Sequence, residues 1–201
     1  MFDTLESWDK AATLAINSLH TPATDAFWMF VTGKWVWFPC YLVIAGLLIW
    51  KIGWKRGLIM ILATILCITC VDQLCNLVKL WACRLRPCCD PEMIQRGIYI
   101  LEPHHPNYPY GFFSAHAGNA MAFAMCMVFA FRYYPQEHPE KQKAYRTGNT
   151  LLIIWAVLVG LSRIFVAKHF LGDVLVGLAV GTLLAWALTS LGDLVIQKLK
   201  R

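Results

Sequence analysis

Apolar residues along this chain occur in long runs, and short polar segments separate the runs. A helix that crosses a bilayer needs about 20 mainly apolar residues, and five runs approach that length. We predict spans at about residues 33–50, 57–82, 114–132, 148–166 and 171–196. The pattern therefore predicts an all-α integral membrane protein, a helical bundle of about five transmembrane helices forming a single domain over residues 1–201.

The segment before the first run has a different pattern. Residues 5–19, LESWDKAATLAINSL, carry charged residues between apolar side chains at helical spacing, which are Leu5, Trp8, Ala12, Ile16 and Leu19. A short amphipathic helix of this kind lies in the membrane interface, and a sixth span is the alternative interpretation. The polar, acidic first residues do not resemble the basic start of a cleavable signal peptide.

Composition supports a membrane protein. Hydrophobic residues make up 58% of the 201 residues and charged residues only 15%, whereas soluble domains carry about 25% charged residues. The net charge of +6 is compatible with nucleic-acid binding. A membrane explains it better, because cytoplasmic loops of membrane proteins are enriched in Lys and Arg. We therefore expect the membrane, and no nucleic acid, as the partner.

The basic residues also predict an orientation. Those that follow the first, third and fifth runs are Lys51, Lys55, Arg56, Arg132, Lys141, Lys143, Arg146, Lys198, Lys200 and Arg201. Five spans place them all on one side, which the positive-inside rule makes cytoplasmic. Three polar clusters then meet on the outer side: KLWACRLRP, GFFSAHAG and SRIFVAKHFLGD. The outer loop also carries Arg84, Arg86 and Arg96, so the excess of basic residues on the cytoplasmic side is moderate.

The first two clusters have the chemistry of a phosphate site. Arg presents a planar fork of donors to phosphate, and Lys adds a compact charge; Lys79 and Arg86 supply these groups. Backbone N–H groups at a helix start also bind anions. The sequence Ser114-Ala115-His116 opens the third run, and Ser114 is a natural N-cap.

The third cluster has the chemistry of a nucleophile. Residues four apart share one face of a helix, and His169 and Asp173 have that spacing. A carboxylate on one ring nitrogen orients an imidazole whose other nitrogen attacks. A second histidine, His116, can supply a proton to the leaving group. Positive side chains can stabilise the charge, so this chemistry requires no metal.

Each of these residues also has a structural interpretation. Lys79 and Arg86 could be interfacial residues with snorkelling side chains, and His116 a hydrogen-bonded residue at a helix start. Asp173 could cap the fifth span, or form a structural pair with His169. Ionisable residues that border spans are costly, and their convergence on one face favours a functional site.

These residues resemble the type-2 phosphatidic acid phosphatase superfamily, membrane lipid phosphatases related to vanadium haloperoxidases and glucose-6-phosphatase. The first family motif, Lys, six residues, Arg-Pro, matches Lys79 and Arg86-Pro87. The third motif, Ser-Arg, five residues, His, three residues, Asp, matches Ser162-Arg163, His169 and Asp173. The second motif, Pro-Ser-Gly-His, reads Phe113-Ser114-Ala115-His116 here, which affects the expected geometry of the phosphate cradle.

The resemblance implies a role for each residue. His169 would be the nucleophile that forms a phosphohistidine, Asp173 would orient it, and His116 would protonate the leaving group. The phosphate would be held by Lys79, Arg86, Ser114, Ala115 and Arg163. The family has a helical core and works without a metal or other cofactor.

The implied substrate is a phosphorylated membrane lipid at the outer face. For a small chain of bacterial type, the resemblance offers undecaprenyl pyrophosphate, phosphatidylglycerophosphate and lipid A. We rank an undecaprenyl-pyrophosphate or broad lipid-phosphate phosphatase first and a lipid A phosphatase close behind. The expected location is the bacterial inner (cytoplasmic) membrane, with the active site on the periplasmic or extracellular side.

The loop at residues 87–113 should shape the entrance to this site. Its residues His104, His105, Tyr108 and Tyr110 could contact a lipid headgroup or anchor the loop in the interface. In an oxidising compartment Cys83 could pair with Cys88 or Cys89. Cys67 and Cys70 form a C-x-x-C inside an apolar run, where buried apolar cysteines are expected and a redox pair is not.

Three other functions remain open. A lipid phosphotransferase would use the same site and pass the phosphate to a second lipid. A lipid transporter or binder would concentrate its charges in mid-span or in broken helices, whereas these charges cluster at span ends. A non-catalytic member of the family would bind phosphate through the altered second motif. Soluble haloperoxidase chemistry does not suit a chain built of spans.

Overall fold

The computed structural model of the chain describes residues 2–103 and 108–199. Within that part there is no β-strand, and the one extended pairing is an isolated bridge between Leu85 and Tyr110. The α-helices are α1 (Phe2–Asn17), α2 (Pro22–Thr32), α3 (Phe38–Ile52), α4 (Trp54–Ala82), α5 (Pro91–Gln95), α6 (Ala115–Ala130), α7 (Tyr134–Glu137), α8 (Gln142–Phe165) and α9 (Leu171–Leu199). Short 3₁₀ turns cover Pro87–Cys89 and Pro139–Lys141. The predicted all-α bundle is confirmed.

Helix α6 lies at the centre of the bundle. It packs against α4, α8 and α9, and most of its side chains are buried. Its contact with α9 is close because two glycines of α9 face its backbone. A Cβ atom at Gly181 would lie 2.3 Å from the Gly118 carbonyl oxygen, and one at Gly177 would lie 2.5 Å from that of Ser114. This G-x-x-x-G spacing is typical of helices that approach closely in membranes.

Among the described residues, three helical stretches are long and apolar enough to cross a membrane, namely Trp54–Ala82, Pro139–Phe165 and Leu171–Leu199. The other two predicted spans correspond to shorter helices. Helix α3 has 15 residues and α6 has 16, and 16 residues extend only about 24 Å. All five segments are helical, and the number of complete crossings stays a prediction.

The first predicted span begins too early. Residues 33–37 form a turn, and α3 begins at Phe38 with Pro39 in its first turn. The sequence reasoning also missed α2, which precedes that turn. Thr21 and Thr24 form a capping box at its start, Pro22 occupies its first turn, and Gly33 ends it. These are ordinary start and stop signals.

Helix α1 confirms the expected amphipathic helix over residues 5–17, and its contacts with the bundle add to the prediction. Leu5 and Trp8 are exposed on its outer face. The face towards the bundle is mixed. Thr13 and Asn17 are buried against the ends of α8 and α9, while Leu14 and Ile16 pack against apolar clusters. Asn17 donates hydrogen bonds to the carbonyl oxygens of Tyr99 and Ile164. An interfacial position of the apolar face stays a prediction.

All eight cysteines are free thiols. The predicted pairing of Cys83 with Cys88 or Cys89 is therefore absent, and Cys88 Sγ lies 3.8 Å from Cys89 Sγ. Cys67 is buried in the apolar core, as expected for a cysteine that acts as a small hydrophobic residue.

The α6–α9 contact predicts that Gly181→Ala destabilises the bundle. The added methyl group meets backbone atoms that cannot rotate away, so the helices must separate. We expect a loss of about 1–3 kcal/mol, typical of overpacking, with a fall of about 2–4 °C in melting temperature per kcal/mol. Thermal unfolding in detergent measures this fall.

Gly46→Ala is the matched control. Gly46 lies in α3, and a Cβ atom there would meet no heavy atom within 4 Å. Because Ala is the better helix former, this variant should melt at the same temperature or slightly higher. Equal effects of the two substitutions would contradict the tight α6–α9 contact.

Candidate active site

The structure brings all eight predicted site residues to one end of the bundle. Lys79 lies in the last turn of α4 and Arg86 in the segment after it. Ser114 caps α6, which begins with Ala115 and His116. Arg163 ends α8, His169 lies in the turn that follows, and Asp173 is in the first turn of α9.

His169 is buried between a guanidinium and a carboxylate. Its Nε2 atom lies 3.3 Å from Nη1 of Arg86, and its Nδ1 atom lies 3.4 Å from Oδ2 of Asp173. Because Arg can only donate, Nε2 accepts in this contact, which places the ring proton on Nδ1. Nδ1 has no hydrogen-bond partner among the described residues, and Asp173 is its charged neighbour. The free electron pair of Nε2 thus points towards the guanidinium group.

Asp173 is fully buried and is held by a residue that was not among the predicted site residues. Its Oδ1 atom accepts from Nη1 of Arg84 at 2.6 Å, and its Oδ2 atom accepts from the Phe170 N–H at 3.0 Å. Its backbone oxygen accepts from the Ser114 N–H at 3.0 Å. Asp173 therefore connects α9 both to the start of α6 and to the segment after α4.

The backbone after α4 explains why two arginines face the site. Cys83 ends α4 in the left-handed region with φ 46°, and the chain then pairs with the segment before α6. The Arg86 N–H donates to the Pro109 carbonyl and the Gly111 N–H to the Arg84 carbonyl, both at 2.8 Å. Residues two apart in an extended segment point the same way, so Arg84 and Arg86 both face α9.

Arg86 and Arg163 are held by neutral acceptors, whereas Lys168 also has a charged neighbour, since its Nζ atom lies 3.9 Å from Oε2 of Glu102. Arg86 donates to the carbonyl oxygens of Tyr108 and Lys168. Arg163 donates to the hydroxyl of Thr32 on α2, and Lys168 donates to the Pro103 carbonyl at 2.8 Å. Neutral acceptors do not cancel positive charge, so the site retains an excess of charge suited to an anion.

Burial sets the protonation state of the nucleophile candidate. It lowers the pKa of His169 well below the usual value, and the charges of Arg163 and Arg86 lower it further. The imidazole is therefore neutral at pH 7, as a nucleophile must be. Burial also lowers the pKa of Arg86 and of Lys168.

The altered second motif keeps the features that an anion site needs. Ser114 accepts a hydrogen bond from the Ala117 N–H as the N-cap of α6. Ala115 begins the helix and is not among the residues with positive φ, so alanine fits where the family pattern has glycine. Phe113 is buried beneath the site, and its carbonyl accepts from the Cys75 thiol at 3.0 Å.

His116 borders a cavity of about 570 Å³ beside the cation cluster. The cavity continues between α3, α4 and α6 with a mainly apolar lining. A lipid could therefore place its phosphate among the cations and its apolar part in the cavity.

Helix α1 contributes site contacts that the sequence reasoning did not anticipate. Asp9 accepts from Nη2 of Arg84 and from the Gly172 N–H, both at 2.7 Å. Thr13 accepts from the Leu171 N–H at 2.9 Å. The available signal was the polar series Asp9, Thr13 and Asn17, which recurs every four residues beside the apolar stripe.

The loop before α6 is described only in part. The predicted headgroup contacts His104 and His105 lie outside the described residues. Tyr108 and Tyr110 are exposed beside the site, and the main chain at Tyr108 already binds Arg86.

Comparisons with known proteins identify the family. A family model described as the PAP2 superfamily matches residues 53–195, which include all eight residues. The chain belongs to the PAP2 superfamily. This confirms the family that the sequence resembled. Because the relatives described next are named phosphatases, the chain is a phosphoric monoester hydrolase of the PAP2 type.

Three proteins illustrate the relationship. A lipid A 4'-phosphatase of Bacteroides thetaiotaomicron is 29% identical over 187 residues, covering 92% of this chain and 77% of that protein. Phosphatidylglycerophosphatase B of Bacillus subtilis is 30% identical over 142 residues, which cover 70% of this chain and 59% of that protein. The crystal structure of a transmembrane PAP2-type phosphatidylglycerolphosphate phosphatase from Bacillus subtilis superposes on this chain with a TM-score of 0.71 at 22% identity. The superposition covers 94% of this chain and 87% of that chain.

The contacts of Asp173 predict that Arg84→Ala impairs both folding and activity. The variant leaves a buried carboxylate with one backbone donor, and breaking a buried pair costs about 3–5 kcal/mol. Because Arg84 is partly exposed, we expect the lower end of that range. The melting temperature and the rate of phosphate release should both fall.

Arg96→Ala is the matched control for Arg84→Ala. Arg96 pairs with Glu92 one helical turn away on the surface, and exposed pairs contribute about 0–1 kcal/mol. If Arg84→Ala had no more effect than Arg96→Ala, Asp173 would not depend on Arg84.

The lowered pKa of His169 predicts a pH dependence of stability. The unfolded chain binds a proton at this histidine below about pH 6.5, while the folded protein resists protonation. Folding stability should therefore fall as the pH drops below 6.5, by up to about 1.4 kcal/mol per pH unit for this group. His169→Asn should lose less stability than the natural chain between pH 7 and pH 5, as measured by melting temperature. Parallel losses in the two proteins would show that His169 has no lowered pKa.

Proposed function

We propose that this phosphatase removes a phosphate group from a membrane lipid through a phosphohistidine formed on Nε2 of His169. The observation that carries the proposal is the orientation of the imidazole. Its proton-bearing nitrogen faces Asp173, and its free electron pair points towards Arg86. A phosphate bound to Arg86 would meet that electron pair directly.

The first step transfers the phosphoryl group to the histidine. Nε2 of His169 forms a bond to phosphorus while the bond from phosphorus to the lipid oxygen breaks. The leaving oxygen keeps the electron pair and takes a proton from His116, which borders the lipid cavity. Lys79, Arg86, Arg163, the hydroxyl of Ser114 and the N–H of Ala115 hold the phosphate oxygens. Asp173 stabilises the charge that develops on the ring.

The second step regenerates the enzyme. Water attacks the phosphohistidine, His116 takes the proton of the water, and the bond from Nε2 to phosphorus breaks. Inorganic phosphate leaves, and His169 returns to its neutral form. Because the cations of the site balance the phosphate charge, we propose that both steps proceed without a metal ion.

The relatives favour lipid A or phosphatidylglycerophosphate as the substrate class. The relative aligned over 92% of this chain is named a lipid A 4'-phosphatase, and another is named phosphatidylglycerophosphatase B. We therefore place a lipid A-type phosphate first and move undecaprenyl pyrophosphate, the first choice from sequence, behind both.

We propose that the reaction takes place at the periplasmic face of a bacterial inner membrane. The support is the charge distribution at the opposite end of the bundle, which carries Lys51, Lys55, Arg56, Lys141 and Lys143. The positive-inside rule makes that end cytoplasmic, so the end with His169 faces outward.

Phosphate release by the purified protein in detergent tests the mechanism. Lipid A, phosphatidylglycerophosphate, phosphatidic acid and undecaprenyl pyrophosphate are compared in the presence of EDTA. We expect release to persist with EDTA and to fall at least about 10³-fold in His169→Ala, as for other lost nucleophiles. Labelled lipid phosphate should leave an acid-labile label on the natural chain and none on the variant.

His138→Ala is the matched control for His169→Ala. His138 is an exposed histidine beyond α7, so its removal should leave the rate unchanged. Release that required a metal ion, or that survived in His169→Ala, would overturn the proposed mechanism.

A further inference from the structure

The cavity beside His116 contains a polar pair that the mechanism does not use. Asp72 of α4 and Asn119 of α6 both line it, and Nδ2 of Asn119 donates to Oδ1 of Asp72 at 2.8 Å. Asn119 lies one helical turn beyond His116, and Asp72 about two turns before Lys79. An ionisable side chain within a membrane helix is costly and marks functional sites.

The hydrogen bond fixes which atoms of the pair remain available. A carboxylate can only accept, so Asn119 must turn its amide NH₂ group towards Asp72. Its amide oxygen is then buried, and within the described part of the chain it has no hydrogen-bond partner. Buried acceptors without a partner are rare in folded proteins. Oδ2 of Asp72 is a further acceptor, so the pair offers acceptors to whatever enters the cavity.

This acceptor pair contrasts with the cations above it. The phosphate is attracted to Lys79, Arg86 and Arg163 and repelled by the Asp72 carboxylate. A group that binds at the pair must instead donate hydrogen bonds. Three residues along a helix rise about 4.5 Å, so such a group is attached close to the leaving oxygen that meets His116.

We propose that Asp72 and Asn119 select lipids whose leaving group carries a hydroxyl or amide N–H donor beside the phosphoester. The inference rests on the proposed function and names its substrate class. The amino sugar of lipid A carries amide N–H groups, and the glycerol headgroup of phosphatidylglycerophosphate carries a hydroxyl. The diacylglycerol part of phosphatidic acid and the polyprenyl part of undecaprenyl pyrophosphate offer no such donor at that position.

The alternative is that the hydrogen bond between Asp72 and Asn119 only holds α4 against α6 and does not contact substrate. A polar contact between membrane helices contributes about 0.6 kcal/mol on average. Loss of such a contact lowers stability and affects every lipid alike. A contact with the leaving group instead changes the ratio of rates between lipids, so the two functions are separable.

Asp72→Asn is the variant that tests the proposal, because it keeps the volume and can still bond Asn119. It turns an NH₂ group towards the cavity where the acceptor was. The kcat/KM values for the same four lipids are measured with the purified full-length protein, together with its melting temperature. The natural chain should prefer the two lipids with donors. In the variant their kcat/KM should fall about 10- to 100-fold, as expected for a hydrogen bond to a charged group, and the other two should change less than 3-fold.

Thr69→Val is the matched control on the same helix. The hydroxyl of Thr69 bonds only the Ile65 carbonyl of its own helix and faces away from the cavity. All four rates should stay unchanged in this variant. Lipid A and phosphatidylglycerophosphate distinguish amide from hydroxyl donors. If kcat/KM of Asp72→Asn falls only for lipid A, the pair binds an amide N–H, and if it falls only for phosphatidylglycerophosphate, the pair binds a hydroxyl.

Each remaining outcome overturns the inference. A uniform fall on all four lipids with a lower melting temperature would make the pair an interhelical contact only. An unchanged ratio between lipids would remove the pair from substrate selection, while the phosphatase function would stand. Absence of release from every lipid by the natural chain would overturn the proposed function and this inference with it.

Discussion

A fully buried carboxylate at the end of a membrane bundle must be neutralised by its surroundings, and Asp173 is that group. Its side chain is held by Arg84 and by the Phe170 N–H, and its backbone oxygen accepts from Ser114. These bonds bring together the segment after α4, the start of α6 and the turn that carries His169. The requirements of one buried charge therefore fix the relative positions of the elements that form the site.

The packing of the bundle makes this arrangement possible. The glycines of α9 let it approach the backbone of α6, which places Asp173 next to the cap of α6. The aromatic rings of Trp28 and Phe165 stack with centroids 4.0 Å apart and hold α2 against the end of α8. Thr32 of α2 then meets Arg163. The buried polar groups of the site thus lie together at this end of the bundle.

Much of this arrangement could be predicted from the sequence because local signals were strong. Apolar runs located the five helical segments. The four-residue spacing of His169 and Asp173 predicted that their side chains lie next to each other. The pairing of Arg84 with Asp173 could not be predicted, because it depends on the left-handed residue Cys83 and on the pairing of the next residues with a distant loop. The contacts of α1 could not be predicted, because the pattern of residues 5–19 does not show which distant segments its polar side chains meet.

The contacts of Asp9 have a consequence for the biosynthesis of the protein. Asp9 is translated before all its partners, since Arg84 follows 75 residues later and Gly172 163 residues later. Helices near the start of a chain generally emerge first from the ribosome. Helix α1 can therefore complete its contacts only after α9 has been inserted, although Arg84, Glu92 and Tyr99 become available earlier. The catalytic end is complete only when the last helix is in place, so a partly inserted chain has no functional site.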